Sequence, residues 1–201
     1  MKINNLSQLR ELYGFPSGRA KVKVLFTLEK HAINFIEKSP FIVVSTSSKE
    51  GQQDASPRGG STGFVKVIND TQIIIPDAKG NNRLDSITNI VETGKIGLLF
   101  LIPGVDETLR INGSAYLSTD ENYLNLFTSE KHTPKTAIVI TVEEVFLHCA
   151  KAFMRSKLWD ASAQTNRDEF PTMGQMLKDQ LNSTETPETH DAMVERYQKD
   201  L

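Results

Sequence analysis

Short apolar runs rich in β-branched and aromatic residues recur through the middle of the chain, and Gly, Asn, Asp and Pro separate them. Runs of this length and composition predict β-strands. Turn-forming residues at 48–51 and 69–71 predict tight hairpin connections. The predicted strands are residues 41–47, 53–56, 64–68, 72–76, 96–102, 108–117, 137–142 and 145–149. The series favours a mainly β fold with flanking helices, arranged as an antiparallel barrel rather than a doubly wound parallel sheet.

Apolar residues at helical spacing predict helices before, within and after the strand-rich region. Near the start, two short helices separated by residues 14–19 are expected, and Pro40 ends the second. Within the strand region, one helix has an apolar face of Leu84, Ile87, Ile90 and Val91, with Asn81 and Asn82 as cap candidates and Gly94 at its end. Further helices are expected near residues 123–127, 150–159, 173–181 and 193–197, with 182–190 as a polar link.

Composition and charge narrow the classes of protein. The 201 residues, 24% of them charged, are typical of one globular domain, and a net charge of −2 disfavours a nucleic acid partner. No stretch has the roughly 20 consecutive apolar residues of a membrane span, and the first residues lack the apolar core of a signal peptide, so a cytoplasmic location is expected. Cys149 is the only cysteine, which excludes an intrachain disulfide, and we expect it to be buried and structural.

Three arginine-bearing segments could meet a ligand. In the first, Gly59 and Gly60 allow close approach of the backbone, and Arg58 offers a fork of donors for a phosphate or carboxylate. In the second, Arg83 and Ser86 stand at a predicted helix start, where free N–H groups favour anions. An ordinary surface turn and a capped surface helix are the respective alternatives.

The third segment lies inside a predicted strand, where Thr108 and Arg110 alternate with apolar residues and face the opposite side. Here the alternative is that Arg110 pairs with Asp106 or Glu107 on a solvated surface. Each segment alone therefore leaves two interpretations open.

The four stretches SPRGG, IIIPDAKGNNRLDSITNI, GLLFLIPGVDETLRINGSAYL and EEVFLHCAKAFMRSKLW occur in this order between about residues 41 and 159. Together they resemble the FMN-binding proteins related to pyridoxamine 5′-phosphate oxidase, most closely the branch called PPOx-type flavoproteins. The resemblance implies an FMN-binding split β-barrel with its N-terminal helices at residues 1–165 and a C-terminal helical extension at 166–201. It also implies a homodimer with flavin at the subunit interface.

Residue by residue, the resemblance assigns the flavin site. The phosphate and ribityl positions are Arg58, Asn82, Arg83 and Ser86, and Ser56 and Gly59 are further cofactor-binding positions. The positions at the flavin edge are Thr108 and Arg110, and the C-terminal positions, contributed by the second subunit, are Lys151, Arg155 and Ser156. Where the oxidases carry an Arg-Leu-His-type substrate motif, this chain has Met154-Arg155-Ser156. The resemblance therefore extends to FMN and not to vitamin B6 oxidation.

Other chemistries find little support in the sequence. His148 and Cys149 are adjacent, so on a strand they point to opposite faces and cannot form a nucleophile–base pair. The four histidines lack the spacing of a metal site, no GxGxxG follows a strand, and no motif sets two of Asp54, Asp77 and Asp85 around a glycosidic bond. No catalytic residue is assigned.

The leading hypothesis is an FMN-dependent oxidoreductase of unknown substrate. A flavin-binding or electron-transfer module without its own substrate is one alternative, and a split barrel reused for deazaflavin or haem is another. The uninterrupted apolar run at residues 97–102 predicts a strand covered on both faces, which favours a homodimer. The alternative is that the N-terminal helices or the C-terminal tail cover its second face.

Overall fold

The computed structural model describes residues 2–128 and 131–200. In this part of the chain the strands form one antiparallel sheet in the order β2-β1-β5-β6-β7-β4-β3, which ends at β2 on one side and β3 on the other. The strands are β1 (Phe41–Ser47), β2 (Gln53–Gly59), β3 (Lys66–Asn69), β4 (Gln72–Pro76), β5 (Lys95–Leu101), β6 (Thr108–Ser118) and β7 (Ala137–His148). A curled antiparallel sheet that does not close is a split barrel, so the predicted fold class is confirmed.

One continuous strand, β7, replaces the two that the sequence predicted at 137–142 and 145–149. Its register against β6 shifts by one residue, because Gly113 pairs with Val142 whereas Asn112 pairs with Glu144. Glu143 is the extra residue of this β-bulge, so the strand passes through a polar pair that looked like a break. A glycine is needed opposite the bulge, since a Cβ on Gly113 would lie 2.1 Å from the carbonyl oxygen of Thr141.

Helices precede the first strand, occur between strands and follow the last strand. They are α1 (Leu6–Tyr13), α2 (Arg19–Val22), α3 (Lys30–Lys38), α4 (Asp85–Thr93), α5 (Glu121–Leu124), α6 (Lys151–Ser156), α7 (Met173–Leu181) and α8 (His190–Gln198). The single turn of α2 was not predicted, and it overlaps the expected separator at residues 14–19 only at Arg19. The bounds of α7 agree with the prediction, and α8 is longer at both ends than the predicted 193–197.

Alternate residues give the sheet two faces. The inner face carries Ile42 and Val44 of β1 and Phe100 of β5, all fully buried, and α3 packs against this core through Ile36. The outer face carries Val43 and Leu99, which lie opposite each other in the register and are only half-buried. The apolar outer face of β5 is therefore left partly open to solvent.

The N-terminal segment joins the sheet at β7, where Leu25 pairs with Val145. Its first helix, α1, buries none of its residues.

At the other end of the chain, Lys79 Nζ lies 2.5 Å from Asp200 Oδ1, which links the segment after β4 to the residues after α8. The division into residues 1–165 and 166–201 stays a prediction. Among the residues described, no helix is long and apolar enough to cross a membrane.

Candidate functional site

The start of α4 meets the edge strand β2. The chain reaches this helix through two residues in the left-handed conformation, Asn82 (φ 59°) and Leu84 (φ 60°), and Leu84 is the N-cap. No side chain caps the helix, because Asn81 Oδ1 instead accepts a hydrogen bond from the backbone N–H of Arg83. The predicted Asn81–Asn82 cap is therefore wrong, and its consequence is that first-turn N–H groups of α4 lack a side-chain acceptor.

Alternate residues of β2 face the helix. Asp54, Ser56 and Arg58 lie opposite Thr46, Val44 and Ile42 of β1, which places them on the inner face at the sheet's edge. All three are half-buried. This alternation follows from the period of two in a β-strand and brings a carboxylate, a hydroxyl and a guanidinium together beneath α4.

Hydrogen bonds join this group to the helix. Ser86 Oγ donates to Asp54 Oδ2 at 2.5 Å, and Ser56 Oγ donates to Asp54 Oδ1 at 3.0 Å. Arg58 Nη2 donates to Ser86 Oγ at 3.4 Å. We call Asp54, Ser56, Arg58 and Ser86 the β2–α4 network.

The buried face of α4 is partly polar, and of the predicted apolar face only Ile90 is fully buried. Ser86 and Asn89 are buried, and Asn89 Nδ2 donates to Thr46 Oγ1 at 2.9 Å. Leu84 is 48% exposed and Val91 is 70% exposed, although both were placed on the apolar face. Ser86 and Asn89 face the sheet, where Asp54 of β2 and Thr46 of β1 are their hydrogen-bond partners.

Further charges surround the network. Arg83 forms an ion pair with Asp85, has a side chain 77% exposed, and feels the charge of Asp54. Asp77, directly after β4, lies near enough to Arg58 for their charges to interact; partial burial nevertheless raises its pKa, against the attraction of Arg58 and Lys135. Strands β2 and β4 are far apart in the sheet order, so this proximity reflects the curl of the barrel.

The predicted residues on β6 lie on the other face of the sheet. Across the sheet, Arg58 pairs with Ile42, Ile42 with Phe100, and Phe100 with Leu109, so Leu109 shares the inner face with Arg58. Arg110, the next residue, pairs with Leu99 and lies on the outer face. Thr108 is buried, at the start of the same strand.

Arg110 contacts uncharged groups. Its Nε donates to Asn112 Oδ1 at 3.4 Å, and its guanidinium lies 5.6 Å from the centroid of the Phe146 ring. In the part of the chain described, no carboxylate oxygen pairs with it, so the alternative of a pair with Asp106 or Glu107 is wrong.

The predicted residues on α6 are exposed. They are Lys151, Arg155 and Ser156. Ser156 Oγ donates to the carbonyl oxygen of Phe153 in its own helix, and Trp159 Nε1 donates to the carbonyl oxygen of Val105, which fastens this segment to the β5–β6 loop. No hydrogen bond or ion pair among the described residues links Lys151 or Arg155 to the β2–α4 network.

Sequence reasoning missed part of the charged surroundings. Asp77 was considered only as a hydrolytic acid. Lys23, whose Nζ lies 5.0 Å from the centroid of the Phe146 ring, was not considered at all. Lys23 reaches the sheet because the N-terminal segment pairs with β7, and no local sequence pattern shows that pairing. Cys149, expected to be buried, is exposed because β7 ends at His148, one residue before it. Within residues 2–128 and 131–200, no group of three His, Cys, Asp or Glu side chains could hold a metal ion.

Comparison with known proteins identifies what the chain is similar to. Residues 28–149 match the pyridoxamine 5′-phosphate oxidase family, which confirms the resemblance seen in the sequence. HupZ from Group A Streptococcus is similar in fold, with 20% identity, a TM-score of 0.51, and coverage of 60% of this chain and 93% of that one. No curated protein gives a significant match.

Two more distant solved structures are also similar. One is a Clostridium acetobutylicum protein related to general stress protein 26 of B. subtilis, of the pyridoxinephosphate oxidase family, with 13% identity, a TM-score of 0.45, and coverage of 59% of this chain and 85% of that one. The other is an FAD binding protein from Mycobacterium smegmatis, with 11% identity, a TM-score of 0.43, and coverage of 62% and 97%.

Proposed function

This chain belongs to the pyridoxamine 5′-phosphate oxidase family, and from that premise we propose that it is a flavoprotein that binds FMN and acts as an FMN-dependent oxidoreductase. The observation that carries the proposal is the contact of Arg58 with Ser86 at a helix start that no side chain caps. A guanidinium, a hydroxyl and free N–H groups at one place are the donors that a phosphate monoester needs.

The donors fit the terminal phosphate of FMN better than they fit an uncharged ligand. Arg58 donates one hydrogen bond to the Ser86 hydroxyl and another to the Pro57 carbonyl oxygen. Within the described residues it forms no ion pair, so its positive charge is available to a phosphate. Ser56 and Ser86 both donate to Asp54 and could turn to a phosphate instead. Gly59, at the end of β2, would let a ligand approach the backbone closely.

Carboxylates near the network oppose an anion. Asp54 accepts the two hydroxyls, Asp85 pairs with Arg83, and Asp77 lies near Arg58. Partial burial raises the pKa of Asp77, so this carboxyl group ionises less readily than an exposed aspartate. We propose that Arg83 and Asn82 reach the ligand from the loop before α4, with Arg83 exchanging Asp85 for the phosphate.

When bound, FMN supplies the hydride chemistry, and the chain supplies binding, orientation and electrostatics. In this proposal the β2–α4 network anchors the phosphate. Thr108 and Arg110 on the outer face, with Lys151, Arg155 and Ser156 on α6, contact the flavin of a second copy of the chain. The half-buried outer face of β5, with Leu99 and Leu101, supports such a twofold contact, since apolar strand faces need cover.

Titration of the purified chain with FMN and with riboflavin tests the phosphate assignment, because the two ligands differ only in the phosphate. We expect FMN to bind much more tightly, as followed by quenching of flavin fluorescence. Equal affinity would show that the β2–α4 network is not a phosphate site. FAD, a deazaflavin and haem are titrated in parallel, and tighter binding of any of these would overturn FMN as the cofactor.

Turnover is tested separately on the loaded protein. We expect NAD(P)H to bleach the flavin absorbance and an added acceptor to restore it over repeated cycles. A flavin that binds but is not reduced would show a binding or electron-transfer module instead of an oxidoreductase.

A further inference from the structure

A second group of charged and aromatic side chains lies on the outer face, where β6 pairs with the end of β7. Phe146 lies opposite Arg110 in the register, and His148 lies opposite Thr108. The Phe146 centroid is 5.6 Å from the Arg110 guanidinium and 5.0 Å from Lys23 Nζ. The His148 ring is 5.2 Å from the same centroid. Three basic side chains therefore gather around one aromatic ring, and we call Lys23, Arg110, Phe146 and His148 the outer-face cluster.

Backbone contacts hold Lys23 in this cluster. Leu25 pairs with Val145 through two backbone hydrogen bonds, of 2.9 and 2.8 Å. Lys23 Nζ also donates to the carbonyl oxygen of Leu147 at 3.0 Å. The N-terminal segment thus places a cation, Lys23, on the outer face beside β7.

The positive charge of the cluster is not neutralised within the described part of the protein. Neither Lys23 nor Arg110 has a carboxylate oxygen within ion-pair distance there. Glu144, the acidic residue nearest along the same face of β7, accepts a hydrogen bond from Asn112 at 2.9 Å. Cations that are held by cation–π contacts instead of carboxylates keep their ability to bind an anion.

His148 completes the donor set. Partial burial, followed by the positive charges of Lys23 and Arg110, lowers the pKa of His148. Its imidazole is therefore neutral at pH 7 and can donate one N–H without adding to the charge.

We infer that the outer-face cluster is a binding site for the carboxylate or phosphate group of a small molecule, separate from the β2–α4 network. Both cations contact the Phe146 ring and lie near enough to His148 for their charges to act on its imidazole, so an anion beside the imidazole meets two positive charges. The β2–α4 network lies on the inner face of the same sheet, so the two groups are separate, although the outer-face cluster shares Arg110 with the proposed contact to the flavin of a second copy.

The test follows the ring signal of His148 by NMR in the full chain, assigned with His148→Gln. The pH titration is run in chloride and in inorganic phosphate or acetate at equal ionic strength. A bound anion next to the imidazole favours its charged form, so we expect phosphate or acetate to raise the pKa of His148 with a saturating dependence on concentration. A response to phosphate alone or to acetate alone identifies the group that is accepted. A pKa of His148 that is the same in all three salts would overturn the inference.

Three variants locate the response. Lys23→Met should raise the pKa of His148 without any added anion and weaken the apparent anion affinity about two- to fivefold, the range for exposed ion pairs. Lys21→Met, an exposed lysine of α2, is the matched control and should change neither. Arg58→Ala should leave the His148 response intact whether or not the chain binds FMN. Loss of the response in Arg58→Ala, with retention in Lys23→Met, would contradict the inference.

Discussion

Ser86, in the first turn of α4, donates its hydroxyl hydrogen bond to Asp54 on β2, with 2.5 Å between Ser86 Oγ and Asp54 Oδ2. The same hydroxyl oxygen accepts the bond from Arg58 Nη2. One side chain therefore connects a helix start, an edge strand and a guanidinium. Arg58 is thus linked to the helix start as well as to its own strand, where it donates to the Pro57 carbonyl oxygen.

Arg58→Ala should weaken FMN binding by roughly 1.5 to 3 kcal/mol, which is the usual cost of losing a hydrogen bond to a charged group. Riboflavin affinity should change little, because riboflavin has no phosphate. Fluorescence titration of both ligands measures the difference. Arg83→Ala should have a smaller effect, since Arg83 is exposed and already paired with Asp85.

Arg19→Ala is the control for this pair, since it removes an exposed arginine from α2. It should leave FMN affinity at the wild-type value. If FMN affinity is unchanged in Arg58→Ala as well, the phosphate site lies elsewhere.

The free energy of unfolding should depend on pH through Asp77. Burial raises its folded-state pKa above the ordinary value of 3.8, so its contribution to stability is complete below pH 3.8 and is lost as the pH rises through the folded-state pKa. Asp77→Asn should therefore be more stable than the wild type at pH 7, and the difference should shrink towards pH 4. Thermal unfolding of both proteins across this range measures it; a difference that grows at acid pH would contradict the sign.

Gly113→Ala should destabilise the fold by about 2 kcal/mol or more, because the added Cβ would collide with the Thr141 carbonyl in the bulge. Backbone atoms of a central strand cannot move aside easily. Gly80→Ala is the control, since a Cβ there meets nothing within 4 Å. Urea unfolding should separate the two variants, and equal midpoints would show that the bulge can relax.

Most of the sheet could be predicted from the sequence, because strand limits follow from runs of β-branched residues and the turns between them. The bounds of β1 and β4 were predicted as observed. β7 was divided in two, because a bulge that lets Glu143 leave the ladder is a property of the pairing with Gly113. A single strand's sequence does not contain that information.

The site could be predicted only in part. The resemblance assigned Ser56, Arg58 and Ser86 to one site, whereas the predicted strand ended at residue 56 and β2 continues to Gly59. The burial of Asn89 on α4 was missed because its hydrogen-bond partner, Thr46, lies 43 residues earlier in the chain. Similarly, Lys23 reaches Phe146 only through the tertiary pairing of Leu25.

Leu99→Glu should convert a homodimer into a monomer. Leu99 and Val43 lie opposite each other on the half-buried outer face, and a carboxylate buried at an apolar interface carries a large desolvation cost. Sedimentation velocity of the wild type and the variant gives the mass of each. Leu181→Glu, at an exposed position of α7, should leave the mass unchanged. A wild-type species of one chain mass that still holds its flavin would contradict the shared-site proposal.

Mixed dimers should show whether Lys151 acts across the interface. One chain carries Arg58→Ala and the other Lys151→Ala, with different affinity tags so that only the heterodimer is purified. If each site takes Arg58 from one chain and Lys151 from its partner, one site of the heterodimer carries both lesions and the other carries none. Half of the sites should then bind FMN with wild-type affinity. If both residues serve the same chain's site, every site carries one lesion and no wild-type affinity returns. The two arrangements therefore differ in the number of tight sites per dimer, which a titration at high protein concentration counts directly.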